Sequence, residues 1–150
     1  MTGKADFTDE EWHQVVQGPP TAGMIVLTAQ RGGTFRETYS IAKSYAEARQ
    51  HLGVSELLDE IVKHKPETDH TRYHSPAELK DQGLQHLRDA VQLVAGKAGA
   101  AELESYKQFV LGLAQHVAEA HREHGNQGNV SEAEQAAIDE IETAIGATAT

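Results

Sequence analysis

The chain has 150 residues, 23 of them acidic and 13 basic, for a formal net charge of −10. A surface of that sign repels phosphate, so nucleic acids and anionic membranes, which are bound largely through Lys and Arg, are not expected partners. Cysteine is absent, which removes disulfides, thiolate-held zinc, iron–sulfur clusters and thiol nucleophiles.

Thr8 followed by Asp9, Glu10 and Glu11 reads as an N-cap with acids at the positive end of a helix dipole. This first helix carries Trp12, Val15 and Val16 and is expected to stop at Gly18. Pro19-Pro20 then suits the first turn of a second helix, with Met24, Ile25, Leu27 and Thr28, that ends at Gly32-Gly33. Thr34 with Glu37 is a capping box for a third helix, whose Phe35, Thr38, Tyr39, Ala42, Tyr45, Ala46 and Arg49 recur at steps of three and four up to Gly53. A short fourth helix over about 55–64 places Leu57, Leu58, Ile61 and Val62 on one stripe and ends before Pro66.

Residues 65–74 read as a polar connection. Ser75-Pro76-Ala77-Glu78 then combines an N-cap serine, a proline in the first turn and a reciprocal glutamate, the strongest local signal in the chain. The fifth helix has Leu84, Leu87, Val91 and Val94 on one face, broken by Gly96 and Gly99. In the sixth, Leu103, Tyr106, Val110, Leu113, Val117 and Ala120 alternate steps of three and four without a fault. That seam suits a central bundle helix, with Leu113 buried and Glu119 off the seam; an intermolecular coiled coil, and hence a homodimer, is the alternative. A Gly/Asn loop over 126–129 leads to Ser131 with Glu134, a further capping box, and to Ala137, Ile138, Ile141 and Ile145 on a last helix.

No strand alternation is sustained, and only residues 24–28 are short and apolar enough to suit a strand. With 39% hydrophobic but only 5% aromatic residues, the core is aliphatic and alanine-rich. The pattern predicts an all-α, single-domain bundle of about six to seven helices over 1–150, with 1–7 and 147–150 as flexible tails. Glycine loops near 32 and 125, each followed by a helix cap, suggest two related helical-hairpin halves. Residues 1–9 lack the apolar stretch of a secretory signal and no segment approaches about 18 apolar residues, so a cytoplasmic protein is expected.

Over residues 109–146 an apolar helix, Ala120-His121-Arg122-Glu123, a glycine loop, Ser131-Glu132-Ala133-Glu134 and an Ile138-Asp139-Glu140-Ile141 helix resemble the TerB-like tellurite-resistance family. The resemblance implies an all-helical bundle of two related halves, with acidic residues where helices meet loops that are associated with metal binding and stress responses. Glu132 and Glu134 are the acids that match. Where family members tend to show Asp-Gly, this chain has His121-Arg122-Glu123-His124-Gly125, and the loop of the first half, Arg31-Gly32-Gly33, holds no acid.

Nine histidines raise the question of a metal. His121 and His124 are three apart and share a helix face, so both imidazoles could reach one ion, with Glu123 or Glu134 as an oxygen ligand; His116 points elsewhere. The competing reading is a set of solvated histidines near a helix C-terminus, where positive charge is favoured. His64, Asp69, His70 and His74 form a second group whose spacing matches no metal motif, and the polar loop accounts for them. Glu10 to His13 and Glu67 to His70 are Glu-x-x-His units, but a di-iron site needs such units paired on long facing helices with further carboxylates. No nucleophile elbow, phosphate-binding loop or dinucleotide fingerprint occurs, and Ser75 beside His74 is explained as a cap.

No catalytic residue and no particular cofactor is therefore indicated. The sequence points to a non-enzymatic binding or adaptor module with a protein partner, and the TerB-like resemblance implies a stress-related setting. The alternative is a metal-binding protein or metal-dependent enzyme using His121, His124 and Glu134.

Overall fold

Short local signals open three of the helices in the computed structural model, which describes residues 4–29, 35–50, 53, 55–63, 75–124 and 132–146. Among the described residues there are six α-helices and no strand: α1 (Asp9–Ala29), α2 (Phe35–Arg49), α3 (Glu56–Val62), α4 (Pro76–Lys97), α5 (Ala100–His124) and α6 (Glu132–Ile145). The chain is all-α, as its periodicity predicts. None of these helices is long and apolar enough to cross a membrane.

At the start of α1 the Thr8 N–H donates to Glu11 Oε1 at 2.9 Å and the Glu11 N–H donates to Thr8 Oγ1 at 3.2 Å, a reciprocal capping box. Ser75 Oγ accepts from the Glu78 N–H at 3.1 Å to open α4. Ser55 Oγ accepts from the Leu58 N–H at 3.3 Å to open α3. A residue remote in sequence reinforces that last cap: Glu102 Oε2, from the first turn of α5, accepts from the Leu57 N–H at 3.1 Å. The far end of α3 is held by Arg49, whose Nε donates to the Val62 carbonyl, a cation where the helix dipole is negative. The caps expected at Thr34 and Ser131, and the glycine loops expected to relate two halves, lie outside the described residues.

The first two expected helices are one. Gly18, Pro19 and Pro20 lie inside α1, although an interior proline removes an i to i−4 bond and ordinarily breaks or kinks a helix. Pro19 and Pro20 leave the Val15 and Val16 carbonyls without their ladder donors. The Tyr106 hydroxyl, fully buried on α5, donates to the Val15 carbonyl at 2.8 Å. His86 Nε2, on α4, lies 2.8 Å from the Gln14 carbonyl, and since a carbonyl only accepts, the ring carries its proton on Nε2. Gly18 makes the approach sterically feasible, because a Cβ there would fall on the Tyr106 hydroxyl.

Residues 18–27 are buried throughout except for half-buried Thr21. This is why residues 24–28 read as apolar enough for a strand: a helix surrounded on all sides is apolar all round. α1 packs on α2, α4, α5 and α6, while α5 touches every other helix. The α5 seam faces inward as expected, with Tyr106, Val110, Leu113 and Val117 buried and Leu113 only 1% exposed; Glu119 is exposed.

On α2 the buried stripe is Ile41, Ser44 and Tyr45, with Ala48 half-buried, whereas Ala42 and Ala46 are exposed. Tyr45 is thus buried as expected, the expectation for Ala42 and Ala46 is corrected, and the side chains of Phe35, Thr38 and Tyr39 lie outside the described residues. The same step pattern exists one position over, and the larger apolar residue, Ile41, decides which one turns inward. The segment before α1 also has local structure. A single 3-10 turn, Lys4–Asp6, seats Phe7 against Trp12 with ring centroids 5.8 Å apart, and both are buried in the one contiguous core. Residues 147–150 lie outside the described residues.

Candidate functional site

α1 and α4 come into close contact at Gly83, where a Cβ would meet Thr21 and Ile25. Toward the start of α1 the facing residues are longer and polar, and a cleft of about 340 Å³ opens between the helices. Glu10, His13 and Gln14 form its α1 wall; Gln82, Gln85, His86 and Asp89 form its α4 wall. It continues into a second depression of about 300 Å³ lined by Gln14, Asp89, Gln92 and Leu93. Steps of three and four put these side chains on one face of each helix, beside the apolar stripes that reach the core.

The walls are internally braced. Gln85 Nε2 donates to Asp89 Oδ1 at 3.0 Å and Gln82 Nε2 donates to Glu78 Oε1 at 3.2 Å, while His86 reaches across to the Gln14 carbonyl. Farther along α4, Lys97 Nζ donates to the Asp6 carbonyl at 2.9 Å and pairs with Glu11 Oε1 at 3.1 Å. The Thr8 N–H first, and Lys97 second, hold the Glu11 carboxyl below its ordinary value of 4.5. Carboxamides that both donate and accept, imidazoles, and two carboxylates make a lining suited to a polar ligand bearing positive charge.

His121 and His124 lie on the last turn of α5, but their side chains, like those of Glu123 and the whole group His64, Glu67, Asp69, His70 and His74, fall outside the described residues. Glu134 is on the first turn of α6 and is only 2% exposed. Among the described residues no three His, Asp or Glu side chains are grouped so as to hold a metal ion. Of the Glu-x-x-His units, Glu10 and His13 do meet partners from another helix, as members of the α1–α4 cleft. His116 approaches Ser44, with Nδ1 2.8 Å from Oγ. A serine–histidine contact of that length can begin a nucleophilic pair, but Ser44 is 5% exposed in the middle of α2, so the contact ties α2 to α5.

Sequence reasoning singled out Glu10 and His13 of the α1 wall only as a Glu-x-x-His unit and missed the α4 wall, because the two walls are some 72 residues apart, the separation of His86 and Gln14. Comparison with family models, with curated proteins and with solved structures finds no match in any of the three.

Proposed function

We propose that this chain is a non-catalytic binding module of the cytoplasm that receives a basic, hydrogen-bonding segment of a protein partner in the α1–α4 cleft. The observation that carries the reading is the lining itself: Gln14, Gln82, Gln85 and Gln92 alternate with His13, His86, Glu10 and Asp89. Such a surface offers a peptide both donors and acceptors and places carboxylates where Lys or Arg would approach. The net charge of −10 adds long-range attraction for a basic partner. The TerB-like pattern over residues 109–146 supports a setting in the stress response.

Titration of the labelled protein with short lysine- and arginine-bearing peptides, and with acidic peptides of equal length, tests this by NMR. Shifts confined to Glu10, His13, Gln14, Gln82, Gln85, His86 and Asp89, seen with basic peptides only and weakened by salt, are the expected result. Equal response to acidic peptides, or shifts away from the cleft, overturns it.

A further inference from the structure

We propose that residues 4–17 form an arm that opens as a unit about the Gly18-Pro19-Pro20 segment of α1. In an unbroken helix each half would be joined to the next by bonds from residues 18–21 back to the carbonyls of 14–17. Pro19 and Pro20 delete two of those donors, and glycine at 18 adds backbone freedom at the same point.

The Thr21 hydroxyl still bonds the Gln17 carbonyl across this point at 2.7 Å, and the arm's remaining polar attachments come from other helices. Tyr106 of α5 donates to the Val15 carbonyl and His86 of α4 to that of Gln14, each at 2.8 Å. Lys97, on the last turn of α4, holds the Asp6 carbonyl and Glu11 and sits 5.6 Å from the centre of the Phe7 ring. The arm adds Phe7, Trp12 and Val15 to the core on one face only, whereas beyond the prolines residues 22–27 are buried on all sides and are released only when the whole core opens. The two halves of one helix thus need different things to break, which is the condition for a sub-global opening. The arm supplies Glu10, His13 and Gln14 of the cleft, so its motion displaces one wall. This holds whatever the cleft binds.

Native-state hydrogen exchange followed by NMR tests the proposal. In the unaltered protein the amides of residues 12–17 are expected to share one exchange rate, faster than that of residues 22–27, with a step across 18–20. His86→Ala removes one of the clamps and should raise the rates over 12–17 about tenfold, the effect of losing one hydrogen bond. Ile61→Val is the counter-variant: Ile61 is fully buried on α3, which packs on α2 and α5. It should raise the rates over 22–27 several-fold through loss of core packing and leave those over 12–17 unchanged. A smooth gradient rising in protection from residue 12 inward would mean simple fraying and overturns the proposal. So does acceleration of 12–17 in step with 22–27 in Ile61→Val, or indifference of the arm to His86→Ala.

Discussion

Two tyrosines buried in the same core differ in one bond. Burial pushes both phenols up from their ordinary range, so each keeps its proton and needs an acceptor. Tyr106 finds the Val15 carbonyl; the Tyr45 hydroxyl has no hydrogen-bond partner among the described residues, although its ring packs edge-on against Phe109 at 5.4 Å. Tyr106→Phe is therefore expected to lower stability by about 1–3 kcal/mol, because it orphans a buried carbonyl. Tyr45→Phe should cost nothing and raise stability by up to about 1 kcal/mol, because it removes an unmet donor. Urea unfolding of the two variants checks this, and equal losses would show that the Tyr45 hydroxyl is bonded. Leu113→Ala and Glu119→Ala make a second contrast. The first should cost about 2–5 kcal/mol as a buried cavity and the second less than about 0.5 kcal/mol as a surface change, read from thermal melts with helical circular dichroism retained at low temperature. At this scale the sequence revealed that Tyr106 belongs to an inward seam, but the task of its hydroxyl depends on a carbonyl 91 residues away.

Among the elements, helix starts were the most legible features and a helix interior the least. Thr8 and Ser75 cap with hydrogen bonds that reach three residues, so the sequence contains the whole interaction, whereas the Ser55 cap also draws on Glu102, 45 residues from Leu57. Gly18-Pro19-Pro20 carries an equally strong local signal for a break, and it misleads because the donor that replaces a lost ladder bond, Tyr106, sits on α5. The α2 face was ambiguous for a different reason, since two adjacent stripes share one spacing and only packing against the core selects between them. The cap of α1 also has a pH dependence whose sign follows from Glu11. Its folded-state pKa lies below the ordinary 4.5, so the contribution is fully present above that value and is lost as pH falls below it through the folded pKa. Acid should therefore loosen the first turn of α1 below about pH 4.5, seen as a change in the fluorescence of Trp12, the only tryptophan. Glu11→Gln should remove that step while leaving the main acid transition in place; an unchanged step would assign it to another carboxylate.

For the whole molecule, composition and periodicity were enough for the all-α class, because an aliphatic core with few aromatics and repeated three- and four-residue steps suits packed helices. The cleft was not legible beyond Glu10 and His13 standing out as a spaced pair, since it is a property of two helices that the chain brings together across α2 and α3. The histidines near the end of α5 drew attention by their spacing, yet spacing places two imidazoles on a face without supplying the remaining ligands. A binding module of the kind proposed is expected to carry no stoichiometric zinc, nickel or iron after purification without a tag, and its melting temperature should not change when each is added. One equivalent of metal, lost in His121→Ala, would move the function to metal binding at His121, His124 and Glu134.

The meeting of Gly18, Pro19 and Tyr106 also constrains how such a chain can change by descent. With Tyr106 in place, any side chain at 18 collides with its hydroxyl; without it, Pro19 leaves a buried carbonyl unmet. Single substitutions at 18 or 106 are thus penalised separately, while a lineage that gives up the tyrosine gains from recovering an ordinary residue at 19. Homologues are expected to keep or exchange all three positions together, so that residues on two helices are inherited as one character.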